Sequence, residues 1–199
     1  MDLDALIYNG MTNSKVGERG EILIAEPLMN DLWFGRSVVL MLDRDKEGGR
    51  LGLTMNKQLP LSLADLFPDW PEASAVKVYQ GGPVDRQRLF MLHTQGDAFG
   101  PAVEVCPGIY VGGETEKIMD YINRNLDTEG KIRFFIGYSG WTDGQLEREI
   151  ARKSWAVARP EAGSRLLEGD GDAYWRREVS ALGELYRAWL SVPENPMFN

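Results

Sequence analysis

GYSGWTDGQLEREI, residues 137–150, is the stretch that decides the fold class of this 199-residue chain. It follows the apolar run KIRFFI at residues 131–136, and three glycines divide it before a charged segment in which Leu146 and Ile150 are four residues apart. Apolar residues at that spacing face one side of a helix, whereas the preceding run has the composition of a buried strand. The stretch therefore predicts a strand, a tight glycine-rich corner with exposed polar groups, and an amphipathic helix.

Similar apolar runs lie on both sides of this stretch and predict a central sheet. They occur at residues 21–25, 37–42, 51–55, 76–79, 89–92, 109–111, 131–136 and, more briefly, 155–157. About three of these strands precede the first short helix and two more precede the second, so strands and helices do not alternate strictly. This order favours an α+β fold with much antiparallel pairing over a doubly wound parallel sheet.

Four segments have helical spacing. The first is a short turn from Ser62 to Phe67, which Ser62 can cap and Pro68 ends. In the third, Thr142 and Gln145 have the spacing of a capping box, so we expect that helix to begin at Thr142. The second and fourth carry longer apolar stripes: residues 115–126 with Ile118, Ile122 and Leu126, and residues 172–190 with Trp175, Val179, Leu182, Tyr186 and Trp189.

The composition indicates one soluble domain over residues 1–199, with residues 1–19 as a weakly specified N-terminal extension. Thirty acidic and 22 basic residues give a net charge of −8, which repels a polyanion and disfavours nucleic acid as a partner. Cys106, the one cysteine, excludes an intramolecular disulfide. We expect a cytoplasmic protein without a membrane span, because no signal peptide and no run of ~18 apolar residues is visible.

No metal or cofactor site is predicted. Residues 43–48, DRDKEG, begin like a calcium loop, but Thr54 stands at the twelfth position, where a bidentate glutamate is needed, so a hairpin turn is the better interpretation. The glycine pairs at 48–49, 81–82 and 112–113 belong to no phosphate-binding motif. For Gly81-Gly82-Pro83 two interpretations stay open: a structural turn, which we favour, and a set of amides facing an anion.

The single histidine and the single cysteine of the sequence are considered for acid–base or nucleophilic chemistry. His93 ends an apolar strand, where it is either a general base or a structural histidine, and the structural role is favoured because no G-x-S-x-G elbow supplies a serine. Cys106 has no C-x-x-C partner and is interpreted as a small apolar side chain.

The segments LGLTMN at 51–56, GGPV at 81–84, LFMLH at 89–93 and residues 137–150 together resemble the YqgE/AlgH family of bacterial proteins. The resemblance spans roughly residues 20–189. It implies a strongly bent, largely antiparallel sheet that curls into a partly closed barrel with packed helices. It implies no settled activity, although the family is sometimes labelled as transcriptional regulators. A histidine that the family often carries before residue 51 is replaced here by Asp45.

Three functional hypotheses follow. The first is a regulatory or binding protein for an unknown small molecule or protein partner. Its candidate site is formed by Asn56, Gly81, Gly82, Pro83, His93, Gly137, Tyr138, Gly140, Trp141, Gln145 and Glu147; all of these except Gly81 and Gly137 match the family motifs. The second is a hydrolase or transferase with Glu147 or His93 as the base. The third and weakest is a DNA-binding regulator, supported only by Arg176, Arg177 and Arg187.

Overall fold

The predicted sheet is present in the computed structural model of the chain, which describes residues 17–44, 48–124, 127–161 and 165–193. Ten strands form it: β1 (Ile22–Ala25), β2 (Val38–Arg44), β3 (Arg50–Thr54), β4 (Gln58–Ser62), β5 (Lys77–Gln80), β6 (Val84–His93), β7 (Ala102–Cys106), β8 (Ile109–Gly112), β9 (Ile132–Trp141) and β10 (Trp155–Ala158). Within these described ranges the α-helices are α1 (Leu63–Leu66), α2 (Thr115–Asn123), α3 (Gln145–Ala151) and α4 (Gly171–Ala181). The same ranges contain three 3-10 helices, at Pro71–Ala75, Gly96–Phe99 and Glu184–Ser191.

The sheet is almost entirely antiparallel. Its strands follow the order β10-β1-β2-β3-β9-β6-β8-β7, with β5 pairing with both β4 and β9 beside this path. The β5–β9 pair is parallel. The sheet curls into a half-barrel with helices packed on it, so the α+β class and the bent, largely antiparallel sheet are confirmed.

Strand β9 runs further than the sequence predicted. It continues through Gly137 to Trp141, so the corner expected at Gly137 is wrong, and the turn before α3 consists of residues 142–144. Gly137 has φ +68° and lies at a bulge, where the register with β6 jumps from the pair Val84–Tyr138 to the pair Leu89–Ile136. A glycine is required there because residues with side chains rarely adopt this conformation.

The helices follow the predicted spacing more closely than the predicted ends. Ser62 is the N-cap of α1, as predicted, and the Asp65 carboxylate accepts a bond from Ser62 N at 2.7 Å. Helix α3 begins at Gln145 and not at Thr142. The expected helix 172–190 is also wrong in its length, because Gly183 (φ +88°) ends it and a 3-10 helix continues.

Helices α3 and α4 cover opposite faces of the sheet. Alternate residues of β1 divide between them: Ile22 and Ile24 pack in the cluster that contains Trp175 of α4, whereas Leu23 and Ala25 belong to the cluster of α3. Successive side chains of a strand point to opposite faces, so β1 is buried on both sides. This burial holds the two helices in place at one end of the sheet.

Helices α1 and α2 form a third cluster with β5 and β9 at the other end of the sheet. Ile118 and Ile122 of α2 are buried in it, as their spacing predicted. Among the helices of the described residues, none has the length and apolar character needed to cross a bilayer. Leu126, Asp45 and most of the proposed extension 1–19 lie outside the described residues.

Candidate functional site

The Gly81-Gly82 turn and the middle of β9 are in direct backbone contact. A Cβ atom on Gly82 would lie 2.2 Å from the carbonyl carbon of Tyr138, and one on Gly81 would lie 2.2 Å from the Gly137 oxygen. The Gly81 amide donates to Ile136 O at 2.9 Å. These glycines therefore allow two chain segments to approach closely, and the Gly81 amide is not available to an anion.

A buried polar cluster fastens this contact to β3. Thr54 N donates to Gly81 O at 2.8 Å, and the Ser139 hydroxyl donates to the same oxygen at 3.0 Å. The hydroxyls of Thr54 and Ser139 are 3.1 Å apart. Because each of these groups has a partner, the cluster stabilises the centre of the sheet.

Asn56 is also part of the scaffold. Its side-chain oxygen accepts from Val38 N at 3.0 Å, and its amide group donates to the carbonyl oxygens of Arg36 and Gly171, both at 2.9 Å. The residue is 1% exposed. Asn56 therefore connects the turn after β3 to the start of α4.

His93 is held in one neutral tautomer. Its Nδ1 accepts from Gln95 N at 3.2 Å, which leaves the proton on Nε2, and Nε2 donates to Gly112 O at 3.1 Å. Its ring stacks on Tyr110 and touches Phe99. Burial lowers the pKa of His93, against a smaller raising effect of the Gly112 carbonyl. These contacts support the structural role, since both ring nitrogens are already bonded.

Trp141 is fixed by a carboxylate that the sequence analysis did not single out. Glu149 Oε2 accepts the indole N–H groups of Trp141 and Trp155, each at 2.8 Å, and Oε1 accepts from Gln145 Nε2 at 2.9 Å. Phe34 packs against both indole rings. Glu149 thus fastens α3 to β9 and β10. The only sequence signal was its position one turn after Gln145.

Gln145 makes the predicted bonds to Thr142, but it is the first residue of α3 and Thr142 lies before the helix. Its side-chain oxygen accepts from Thr142 N at 3.1 Å and from the Thr142 hydroxyl at 3.2 Å. The two residues therefore interact as predicted, but they close the turn before α3, and Gly144 is the N-cap.

Glu147 forms an ion pair with a buried arginine. Arg50 Nη2 donates to Glu147 Oε1 at 2.6 Å, and the Arg50 side chain is only 1% exposed. Burial alone would raise the pKa of Glu147, but the bond from Arg50 and the charges of Arg50 and Arg44 outweigh it and lower the pKa. A carboxylate with a lowered pKa is a poor general base.

The remaining predicted residues, Pro83, Tyr138 and Gly140, are half-exposed. Tyr138 lies edge-on to Phe90, 5.9 Å between ring centroids. They form a shallow surface beside Val84 and line none of the three cavities described in this structure. The structure therefore brings most of the predicted residues together. They form the interior of the sheet and one of its edges.

The largest of these cavities is an apolar groove at the other end of the sheet, with a volume of about 830 Å³. It lies between α1 and the following loop, α2, and the strands β6, β8 and β9. We call it the apolar groove. Its apolar lining consists of Leu63, Leu66, Phe67, Pro68, Trp70, Leu89, Phe90, Met91, Val111, Ile118, Met119 and Phe134.

Two features fix the walls and the charge of the apolar groove. Trp70 Nε1 donates to Asn123 Oδ1 at 2.6 Å, which joins the loop after α1 to α2. Arg88 lies with its guanidinium carbon 4.7 Å from the centroid of the Phe90 ring. Phe67 and Met119 at the groove remain 45% and 36% exposed. Large apolar side chains left open to solvent beside a cavity mark a binding surface.

Neither the Cys106 thiol nor the three arginines of the DNA-binding hypothesis has the properties that its candidate role requires. Burial raises the pKa of the Cys106 thiol to about 11, so the thiolate is scarce near neutral pH. Arg176 and Arg177 pair with Asp172 and Glu178. The third residue of the DNA-binding hypothesis, Arg187, pairs with Glu184 at 2.8 Å.

The AlgH-like family (DUF179) matches residues 22–187. The chain belongs to this family. The chain is similar to UPF0301 proteins of Bacteroides thetaiotaomicron (38% identity, 100% of both chains) and Parabacteroides distasonis (40% identity, 97% of both chains). Its fold is also similar to the solution structure of AlgH from Pseudomonas aeruginosa, with a TM-score of 0.66 and 26% identity over 92% of this chain and 98% of that chain.

A crystal structure of a protein from Corynebacterium diphtheriae has the same fold, with a TM-score of 0.68 and 21% identity over 92% of this chain and 96% of that one. None of these names states a reaction or a ligand. Membership of the AlgH-like family therefore confirms the predicted resemblance and the fold, while the chemistry must be argued from the site.

Proposed function

We propose that this AlgH-like protein is a regulatory binding protein that holds a small amphipathic ligand in the apolar groove. The observation that carries the proposal is the groove itself. A volume of about 830 Å³ lies within the range of roughly 300–1,000 Å³ that is typical of small-molecule sites. We also propose that the protein is cytoplasmic.

The ligand is expected to combine an apolar body with an anionic group. Leucine, phenylalanine, tryptophan and methionine side chains supply most of the lining, so the hydrophobic effect favours an apolar body. Arg88 is the cation at the groove, and among the described residues no carboxylate forms an ion pair with it. An arginine that is already stacked on Phe90 can bind a carboxylate or a phosphate with both of its donor edges.

The residues of the first hypothesis have a supporting role in this proposal. Gly81, Gly82 and Gly137 hold β5, β6 and β9 together at the centre of the sheet. The second half of β6 then presents residues 88–91 to the groove. The predicted residues are therefore proposed to set the shape of the site rather than to contact the ligand.

Binding is favoured over catalysis by the polar groups of the groove. Its polar side chains are Asp69, Arg88 and Thr115. The two bases considered from the sequence are engaged elsewhere: His93 by Gln95 N and Gly112 O, and Glu147 by Arg50. The hydrolase or transferase hypothesis is not supported by these contacts.

Anilinonaphthalene sulfonate, an aromatic anion, is the first probe for the groove. We expect it to bind the native protein with increased fluorescence, and Met119→Glu to weaken the binding at least about tenfold, because a charge is costly in an apolar site. Lys117→Gln is the matched control. It changes the net charge by the same amount on an exposed residue of the same helix that does not line the groove.

A second variant, Arg88→Gln, tests the anionic group. This variant should weaken the binding of the anionic probe and leave the binding of an uncharged naphthalene probe unchanged. If Met119→Glu and Lys117→Gln bind the probe equally, the groove is not the site. If no small amphipathic compound competes with the probe but a protein segment does, a protein partner replaces the small molecule in the proposal.

A further inference from the structure

A second cavity, on the opposite side of β9 from α2, is polar and independent of the apolar groove. Its volume is about 280 Å³, and we call it the polar cavity. The side chains that decide its chemistry are Lys77, Tyr79, Asp127, Thr128, Glu129 and Arg133.

A buried hydroxyl without a partner lies at this cavity. Tyr79 is 2% exposed, and its hydroxyl makes no hydrogen bond within the described part of the chain. Leaving a buried hydroxyl unbonded costs free energy, so such groups normally meet a partner. Burial raises the pKa of Tyr79, against the lowering effect of the Arg133 charge, so the phenol keeps its proton near neutral pH and can donate.

Arg133 is a built part of the cavity and not a mobile surface cation. Its side chain is 2% exposed and donates to Met55 O at 2.7 Å and to Gly169 O at 2.9 Å. The guanidinium carbon lies 4.0 Å from the centroid of the Tyr79 ring. This stacking fixes the tyrosine, so its hydroxyl is held in place before any ligand arrives.

Opposite charges share the polar cavity. Lys77 Nζ lies 3.4 Å from Glu129 Oε2, and both side chains are almost half exposed, so this pair is weak and a ligand can replace it. Burial would raise the pKa of Glu129, but the Gly169 amide and the charges of Lys77 and Arg133 lower it, and the group is ionised. Asp170 also acts on Lys77 and Tyr79.

A ligand with a single charge does not match this arrangement. A simple anion would meet Glu129, Asp127 and the nearby Asp170, and a simple cation would meet Lys77 and Arg133. A molecule with both charges can place each one beside its opposite. Its carboxylate would accept bonds from Lys77 and from the Tyr79 hydroxyl, and its ammonium group would face the carboxylates of Asp127 and Glu129.

We propose that the polar cavity binds a small zwitterion of the size of a free α-amino acid. Its volume admits such a molecule with a short side chain. The buried tyrosine hydroxyl supplies the directional bond, and the lysine and the two carboxylates supply the charge selection. This site would give the protein a second ligand, independent of the one in the apolar groove.

The test is an NMR titration of the ¹⁵N-labelled full chain with glycine, L-alanine and L-serine, beside acetate and methylamine. We expect saturable shifts at residues 77–79 and 127–133 with dissociation constants of roughly 0.1–1 mM for the amino acids, and at least about tenfold weaker binding of the two singly charged compounds. Equal affinity for L-alanine and acetate would overturn the zwitterion assignment. No saturable shift below ~10 mM with any amino acid would overturn the site.

Two pairs of variants locate the binding. Tyr79→Phe should weaken the affinity for L-alanine about three- to tenfold, and Lys77→Met should weaken it at least about tenfold. The controls Tyr110→Phe and Lys131→Met should leave this affinity unchanged. Tyr79→Phe removes a hydroxyl that has no partner, so the variant is expected to fold. Unchanged affinity in Tyr79→Phe would contradict the proposal. Binding of anilinonaphthalene sulfonate is the separate readout for the groove, so either site can fail without the other.

Discussion

Replacement of Glu149 by alanine is expected to destabilise the protein by about 2–4 kcal/mol. The change removes the acceptor of three hydrogen bonds, from the indoles of Trp141 and Trp155 and from Gln145. A buried donor left without an acceptor costs about 1–3 kcal/mol. Two indoles would give about 2–6 kcal/mol, and the lower part of that range applies because Glu149 is half-buried and water can reach the vacated position.

The assay is urea unfolding of the wild type and three variants, Glu149→Ala, Glu149→Gln and Arg148→Ala, followed by circular dichroism and tryptophan fluorescence. Glu149→Gln should lower the free energy of unfolding by about 1 kcal/mol, because its oxygen can still accept from the indoles but its amide group faces the amide group of Gln145. Arg148→Ala, exposed on the same helix, is the control and should change the free energy of unfolding by no more than about 0.5 kcal/mol. For a chain of this length Glu149→Ala should lower Tm by roughly 5–12 °C.

A loss below about 1 kcal/mol in Glu149→Ala would refute the reasoning, because it would mean that neither indole depends on Glu149 as its acceptor. Hydrogen exchange provides the local readout. The indole N–H groups of Trp141 and Trp155 should exchange slowly in the wild type and much faster in the alanine variant. Slow exchange in both would mean that burial by Phe34, and not the bond to Glu149, protects them.

Three further outcomes are expected. Gly82→Ala should cost more than about 3 kcal/mol in urea unfolding, because its Cβ would lie 2.2 Å from the backbone of Tyr138; Gly108→Ala, where a Cβ meets nothing within 4 Å, should cost about 1–2 kcal/mol for its φ of +77°. Because the pKa of His93 is lowered mainly by burial, the unfolded chain takes up its proton first as the pH falls through about 6.5. The stability advantage of the wild type over His93→Gln should therefore shrink below that pH, and an advantage that grows in acid would contradict the assignment. With a pKa of about 11, the Cys106 thiol should react with a disulfide reagent at pH ~8 only after unfolding, and rapid reaction of the native protein would show an accessible thiolate.

The repeating spacings of apolar residues predicted most of the fold. The runs at 37–42 and 131–136 are buried strands because uninterrupted apolar residues suit a sheet covered on both faces. The i, i+4 spacing of Ile118 and Ile122 placed both in a core. Hydrophobic periodicity reports which face is buried, and that is the information a sheet with packed helices requires.

Strands β4 and β7 and the true end of β9 were not predicted, and each has a local cause. Strand β4, QLPLS, contains a proline and lies half-exposed, and β7, AVEVC, is exposed at its first half, so neither has the pattern of a buried strand. Gly137 was interpreted as the end of a strand because glycine favours turns. The structure uses the same positive φ for a bulge inside β9. A sequence does not distinguish these two uses of glycine.

The polar contacts were predicted less well than the elements, because they depend on partners far apart in the chain. The short-range pair Thr142–Gln145 forms as expected. The Arg50–Glu147 ion pair joins residues 97 positions apart, and no local spacing signals it. The same limit applies to the apolar groove, where β6 and α2 form facing walls although neither segment alone shows a gap.

The candidate site residues taken from the motifs therefore lie apart from the proposed ligand sites, although Leu89, Phe90 and Met91 of the motif segment 89–93 line the apolar groove. Gly81, Gly82, Asn56 and His93 have side chains or backbone groups that are fully engaged inside the protein. A motif made of such residues identifies the AlgH-like scaffold, because it states where chain segments must approach closely. These engaged residues do not identify the side chains that contact a ligand. Differences in ligand chemistry between relatives should then follow substitutions at the apolar groove, at Arg88 and Met119 above all, while the glycine-rich centre of the sheet stays the same.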